Sequence, residues 1–176
     1  LKGRVDAYKE AIQDPVEQIG QFKNDNVMMT NAVICLENRD EARAIAKTKG
    51  RGYLVTMVNM YHDTMPKSPD AVTWPDAPVD PNWTDEMLDW AISEGYMLCG
   101  TPEEVCEQLV RYQEVGCDQV VFGLPIEGMA HEQVLEMLEI FGQRVIPEFD
   151  KDPIHSTDRY RAEAQRKFPD FEYELT

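Results

Sequence analysis

A strand, a capped helix and a second strand follow one another closely between Tyr96 and Gly123, and this unit constrains the fold more than any other stretch. The sequence Thr101-Pro102-Glu103-Glu104 combines an N-cap residue, a proline suited to the first turn and a glutamate three residues after the cap, which predicts a helix start. Gly116 predicts the end of that helix, and the apolar run 118–122 predicts a buried strand. Because its connections are short, the unit implies a parallel sheet and an α/β fold.

The apolar run 27–36 predicts a third strand, since polar residues bound it on both sides. Thr30 and Asn31 lie inside this run, and two explanations stay open for them. Either they hydrogen-bond to neighbours within the sheet, or they line a ligand cavity. Asp40 is expected to cap the next helix, and the segment 53–58 is apolar nearly all round, which predicts deep packing.

Apolar residues at helical spacing predict further helices around these strands. The chain opens inside a helix over 1–12, and because such a helix needs a cover for its apolar face, we expect sequence to precede Leu1. Thr84 is expected to cap a helix that Gly95 ends. Residues 131–149 are predicted as a helix with an apolar stripe and an end at Pro147. The stripe consists of Val134, Leu138, Phe141 and Val145.

Two segments are predicted to be irregular or extended. Residues 65–83 hold five prolines and two tryptophans, too many breakers for a regular element. This insertion is either a lid or partner contact, or it is simply packed on the rest of the chain. The charge-rich segment 151–176 is predicted to be an extension in which Thr157 caps a short helix.

The composition narrows the classes of function and the compartment. Lys and Arg total 17 against 33 Asp and Glu, and a formal net charge of −16 repels nucleic acid and anionic lipid. No run of 18 apolar residues is present, so the sequence predicts a protein without a membrane span. The four cysteines lack C-x-x-C spacing and lie in apolar segments, which favours reduced, buried thiols in the cytoplasm over metal or redox chemistry.

No local motif names a reaction. The glycine-rich signatures of dinucleotide and triphosphate binding and the G-x-S-x-G signature of serine hydrolases are missing from the sequence. Its three histidines, His62, His131 and His155, lie far apart, and no metal site is predicted. The carboxylates are too numerous for an acid–base pair to be chosen among them, so the catalytic residues stay unassigned.

Three stretches together resemble the C-terminal part of the bacterial-luciferase-like flavin-dependent monooxygenases. They are Cys99–Val105 (CGTPEEV), Gly116–Gly123 (GCDQVVFG) and the helix from Phe141-Gly142 through Val145-Ile146-Pro147. The resemblance implies a (β/α)₈ TIM barrel with parallel strands and outer helices, which takes about 250 residues. Residues 1–150 are then the C-terminal half of a barrel whose first strands lie upstream of Leu1. Strands 27–36 and 118–122 are expected to be the open edges of this partial barrel.

The resemblance also implies a flavin at the carboxyl ends of the strands, FMN or alternatively a deazaflavin. The positions expected to lie nearest to it are the two strand-end turns, although turn glycines and a capping box also have a purely structural explanation. Glu103 and Glu104 occupy the helix N-terminus without an Arg or Lys in either turn, so they are expected to oppose a phosphate. The candidate cofactor-binding residues are Cys99, Gly100, Thr101, Gly123, Leu124 and Pro125.

Two functions follow as hypotheses. The first is a fragment of a flavin-dependent monooxygenase or oxidoreductase that oxidises a small organic substrate with reduced flavin and oxygen, and that is completed by the missing N-terminal barrel half or a second copy. The alternative is a non-catalytic half-barrel, a binding or structural module that associates through its open sheet edges.

Overall fold

The computed structural model describes residues 2–17, 23, 25–49, 83–124, 129–152 and 154–169. The predicted packed segment 53–58, the insertion 65–83 except for its last residue, and Pro125 lie outside these residues. In chain order the elements are α1 (Lys2–Gln13), β1 (Met28–Cys35), α2 (Arg39–Lys49), α3 (Asp85–Ser93), β2 (Met97–Gly100), α4 (Pro102–Glu114), β3 (Gln119–Gly123), α5 (His131–Ile140), a π-helical turn (Phe141–Val145), α6 (Ile146–Phe149) and α7 (Ser156–Lys167).

The three described strands form one parallel sheet in the order β2-β1-β3. The predicted α/β class, the parallel pairing and all three strands are therefore confirmed. The expected edges are wrong in one respect: β1 lies in the centre, and β2 is an edge strand. In a (β/α)₈ barrel, strands that follow one another in sequence are neighbours, whereas here β1 separates β2 from β3.

Burial explains why β1 takes the central place. Residues 33–36 are all at most 1% exposed, so both faces of its second half are covered. A continuous apolar run is what a central parallel strand requires. By contrast, β3 is half-buried and Val121 is 40% exposed, as expected of an edge strand. The core joins β1 and β2 to apolar side chains of the surrounding helices, which include Ala42, Ala46, Leu88, Val105 and Met137.

The helix caps agree with the sequence at two helices and differ at two others. Thr84 and Thr101 cap α3 and α4 as predicted. At α2, however, Asn38 Oδ1 accepts the hydrogen bonds of the backbone N–H groups of residues 40 and 41, so Asp40 is not the cap. At α7, His155 Nδ1 accepts from the N–H of Thr157, which corrects the predicted Thr157 cap. In both cases the capping residue stands two positions before the predicted one.

The predicted stripe of residues 131–149 is only partly correct. Phe141 and Val145 are buried, but Leu138 is 47% exposed, and Met137 takes its place in the core. Helical periodicity allows either neighbour, and packing selects one of them. The helix also passes Pro147 as α6, after a π-helical turn in which the Ile146 N–H donates to the Phe141 carbonyl. Proline is tolerated here because it stands at the start of a new turn.

Candidate functional site

The turn at the carboxyl end of β2 contains three of the candidate residues. Gly100 has a φ of +143°, and a Cβ built there would lie 2.3 Å from Glu104 Oε2, so the position requires glycine. Glu104 is held in place because its Oε2 accepts from the Thr101 N–H at 3.0 Å while Thr101 Oγ1 accepts from the Glu104 N–H. The predicted capping box is therefore confirmed, and the same carboxylate explains the glycine before it.

The outer edge of β2 is closed by a side chain, which the sequence analysis missed. Gln108 Oε1 accepts from the Cys99 N–H at 3.0 Å, and Gln108 Nε2 donates to the Cys99 carbonyl at 2.9 Å. The amide thus makes the two hydrogen bonds that a neighbouring strand would make. Gln108 is 8% exposed, and a glutamine on the apolar stripe of α4 is the signal by which it could have been found.

The turn after β3 lies away from the turn after β2. Gly100 is level with Cys35 of β1 and Gly123 is level with Ala32, on the opposite side of that strand. With about 3.3 Å per residue and about 4.8 Å between strands, the two turns are roughly 14 Å apart. Leu124 follows β3 and packs against the core. The structure therefore does not bring the two candidate turns together.

A glycine at the point where the chain leaves β3 suggests a backbone conformation that only glycine adopts. Gly123 does not have such a conformation. Its φ is not positive, and a Cβ would meet the Asn31 carbonyl at 3.7 Å, an ordinary contact. Any residue that fits an edge strand can therefore adopt this backbone.

A cavity of about 220 Å³ lies beside β2, between α2, α3 and α4. We call it the arginine cavity, because three of its lining side chains are guanidinium groups. Its lining residues are Arg39, Arg43, Asp89, Ile92, Ser93, Cys99, Glu104, Gln108 and Arg111. Cys99 and Glu104 belong to the candidate turn or its helix, so the cavity adjoins the site that the sequence predicts.

Ion pairs organise the arginine cavity. Arg39 Nε lies 2.7 Å from Glu104 Oε1, and Arg43 Nη2 lies 2.8 Å from Asp89 Oδ1. Arg111 Nη1 donates to the Ser93 carbonyl at 3.2 Å. The three arginines therefore tie α2, α3 and α4 together around the edge of β2.

The carboxylates at the N-terminus of α4 are compensated from elsewhere in the fold. Arg39 pairs with Glu104, while Arg144 pairs with both Glu103 and Glu37. Neither strand-end turn contains an Arg or Lys, but α2 and the π-helical turn supply the cations that compensate Glu103 and Glu104. A helix N-terminus with paired carboxylates no longer opposes an anion as strongly.

The buried thiols next to the site are held neutral. Burial raises the pKa of Cys99 from 9.0 to about 12, and burial together with Cys106 and nearby carboxylates raises the pKa of Cys35 to about 12. A thiol with such a pKa is protonated at neutral pH and is a poor nucleophile. All four cysteines are free.

The two polar residues within β1, Thr30 and Asn31, differ in burial: Asn31 is buried and hydrogen-bonded, whereas Thr30 is exposed. Asn31 is 7% exposed, and its Nδ2 donates to the Gly95 carbonyl at 2.9 Å and to the Tyr112 hydroxyl. The Tyr112 hydroxyl in turn donates to the same carbonyl. The structural explanation is therefore confirmed for Asn31. Thr30 is exposed on the other side of the strand.

A second cavity of about 200 Å³ lies between α4, β3 and the C-terminal helices. We call it the apolar groove. Its apolar lining residues include Leu109, Val120, Phe122, Phe141 and Phe149. Phe122 and Phe141 pack edge to face, with ring centroids 4.6 Å apart. Because these rings pack against the core, the groove forms part of how β3 is attached to the helices.

In the described part of the chain, no three His, Cys, Asp or Glu side chains are grouped as metal ligands. Within those same residues, no helix has the length and apolar character needed to cross a membrane. No family model, curated protein or solved structure matches this chain.

Proposed function

We propose that this chain is the C-terminal part of a luciferase-like flavin-dependent monooxygenase or oxidoreductase of the cytoplasm. The observation that carries the proposal is the turn after β2, where Gly100 and a capping box start α4 directly behind a parallel strand. The carboxyl ends of parallel strands are where α/β enzymes bind their cofactors. The four free thiols support a reducing compartment.

The described residues do not form a complete flavin site by themselves. Ligand pockets for molecules of this size occupy about 300–1,000 Å³, whereas the arginine cavity measures about 220 Å³. The turns after β2 and β3 also lie roughly 14 Å apart, on opposite sides of β1. The proposed contacts to FMN, or to a deazaflavin, therefore require residues beyond those that the structure describes, and no catalytic residue is assigned among the described ones.

The proposal includes a complete (β/α)₈ barrel. Such a barrel requires a strand order different from the order β2-β1-β3 described here. In the complete protein β3 pairs with β2, a strand from the N-terminal half takes the place of β3 beside β1, and Gln108 releases Cys99. β3 is only half-buried, but the change requires its registered pairing with β1 to break. Nuclear Overhauser contacts between β2 and β3 in a protein extended upstream of Leu1 test it. Persistence of the order β2-β1-β3 there would contradict the barrel.

The incompleteness of the site predicts that the 176-residue chain binds FMN weakly. We expect a dissociation constant in the millimolar range or weaker, which corresponds to about −4 kcal/mol. A titration followed by flavin fluorescence at moderate salt measures it. Saturable binding below about 10 μM would show that the site is complete within this chain and that the fragment hypothesis is wrong.

Activity is the second arm of the test. A protein extended upstream of Leu1 is expected to bind FMN and to consume oxygen with reduced flavin and a small organic substrate. If the extended protein folds and binds neither FMN nor a deazaflavin, the flavin proposal fails.

A non-catalytic module is the second candidate function, and the exposed outer strand favours it. In the described part of the chain, the outer side of β3 has no strand beside it, and Val121 is 40% exposed. Unpaired strand edges recruit further strands. Under this hypothesis the chain binds a second copy through β3 and has no turnover.

A further inference from the structure

The arginine cavity concentrates positive charge in a strongly acidic chain. Three of the 17 basic residues line it, against two carboxylates, although the chain carries a net charge of −16. At physiological ionic strength the screening length is about 8 Å, so remote carboxylates contribute little to the potential inside the cavity. Asp85, which also pairs with Arg43, is itself paired with Lys47, so a local surplus of one positive charge remains and favours an anion there.

Two of the three guanidinium groups, those of Arg39 and Arg111, have N–H groups left for a ligand. Each carries five N–H groups in a planar fork. Among the residues that the structure describes, Arg39 is engaged through Nε and Arg111 through one Nη1 hydrogen bond to a backbone carbonyl. The remaining N–H groups suit the oxygens of a tetrahedral or planar oxyanion, which accept two parallel hydrogen bonds from one guanidinium.

The size and the walls of the cavity limit the ligand. About 220 Å³ holds a phosphate or a short phosphomonoester but is below the volume of a drug-sized ligand pocket. Ile92 supplies an apolar wall, and the Gln108 amide is occupied by Cys99 on the strand edge. The polar contacts open to a ligand therefore come from the arginines.

We propose that the arginine cavity is a binding site for a small oxyanion, phosphate or a phosphomonoester, held by Arg39 and Arg111, while Arg43 stays in its ion pairs with α3. Arg43 is the positioning residue, because its side chain is 14% exposed and bridges Asp85 and Asp89. Glu104 competes with the ligand for Arg39. The inference does not depend on the flavin proposal.

Isothermal titration of the purified chain with inorganic phosphate at constant ionic strength tests the site. We expect one saturable site with a dissociation constant of about 1 mM or tighter. Arg111→Gln is expected to weaken binding by about tenfold, because a charge-assisted pair is lost. Arg111→Lys keeps the charge but loses the fork, and is expected to weaken binding by a smaller factor.

Two further variants make the test specific. Glu104→Gln preserves the capping box, since glutamine serves at that position as well, but removes the carboxylate that competes for Arg39, so phosphate should bind several-fold more tightly. Arg159→Gln is the matched control, an exposed arginine of α7 paired with Asp152, and should leave binding unchanged. No saturable binding up to about 20 mM phosphate, or equal losses in Arg111→Gln and Arg159→Gln, would overturn the proposal.

A competition experiment shows whether the cavity binds free phosphate or the phosphate group of FMN. FMN that displaces phosphate, while riboflavin does not, identifies the flavin phosphate as a ligand of the cavity. If phosphate binds and FMN fails to compete, the oxyanion site stands and any use of it by a flavin is excluded. If the extended protein binds FMN but phosphate binds nowhere, the oxyanion site fails and the flavin proposal survives.

Discussion

At the scale of single residues, Gly100 and Gly123 make a matched pair. Gly100→Ala forces a side chain into a positive φ and against Glu104, while Gly123→Ala meets only an ordinary contact. We expect Gly100→Ala to destabilise the fold by about 2–4 kcal/mol, from backbone strain and a disturbed capping box. Gly123→Ala should change the free energy of unfolding by less than about 1 kcal/mol. Urea denaturation measures both, and equal effects would contradict the difference in backbone geometry.

Gln108 allows a second test at the residue scale. Gln108→Leu removes the amide and leaves the buried N–H and carbonyl of Cys99 without their partners. Each unsatisfied group costs about 1–3 kcal/mol, so we expect a loss of about 2–4 kcal/mol of stability. The Cys99 amide should also lose protection in hydrogen exchange. Gln113→Leu, on the exposed side of the same helix, is the control and should have little effect.

The buried thiols predict a dependence of stability on alkaline pH. Folding raises the pKa of Cys35 and of Cys99 from 9.0 to about 12, because burial disfavours the thiolate. Their contribution to stability is fully present below pH 9 and is lost as the pH rises towards 12, by about 1.4 kcal/mol per pH unit for each thiol. In Cys35→Ala the slope of unfolding free energy between pH 9 and 11 should be about 1.4 kcal/mol per unit shallower. An unchanged slope would show that Cys35 does not titrate differently in the two states.

At the scale of elements, one lysine attaches α1 to the beginnings of two strands. Lys9 Nζ lies 2.8 Å from Asp25 Oδ1 and 2.7 Å from Asp118 Oδ2, and Asp118 also accepts from the Val27 N–H. Desolvation lowers the pKa of Lys9, but hydrogen bonds to Asp118 and Asp25 outweigh it, so the pKa lies above its usual value. The ammonium therefore stays charged and holds the amino ends of β1 and β3 near α1.

Removing this lysine tests whether the attachment contributes to stability. Lys9→Met keeps most of the aliphatic side chain and leaves two partly buried carboxylates without their cation, so we expect a loss of about 1–2 kcal/mol in chemical denaturation. Lys2→Met, which breaks only the exposed pair with Asp6, should cost less than about 0.5 kcal/mol. The idea fails if the two variants are equally stable.

In the molecule as a whole, the two edges of the sheet differ, since among the described residues one edge is covered and the other has no strand beside it. Gln108 occupies the edge of β2, whereas β3 forms the opposite edge with an exposed Val121. If the chain associates through β3, sedimentation should show a concentration-dependent dimer, and Val121→Lys should abolish it, because a charge on an edge strand opposes pairing. Thr30→Lys, on the central strand, is the control. A concentration-independent monomer in the unchanged chain would rule out this association.

The local structure of this protein follows from its amino-acid sequence alone. Strands, the βαβ unit and the α4 capping box depend on neighbouring residues, whose propensities and periodicity can be read directly from the chain. Two caps lie two positions before the predicted residues, because several polar residues near a helix start compete for the same N–H groups. The choice of Met137 over Leu138 for the core was likewise undetermined, since periodicity allows both.

The strand order and the composition of the candidate site depend on tertiary packing. Parallel strands pair through backbone groups that every residue possesses, so no local pattern says which strand is central, and burial of β1 on both faces settles it. The cations that compensate Glu103 and Glu104, Arg144 and Arg39, come from positions about 40 and 65 residues away in sequence. Whether two charged residues so far apart in sequence form an ion pair depends on the distance between them in the folded protein. No local sequence pattern predicts that distance.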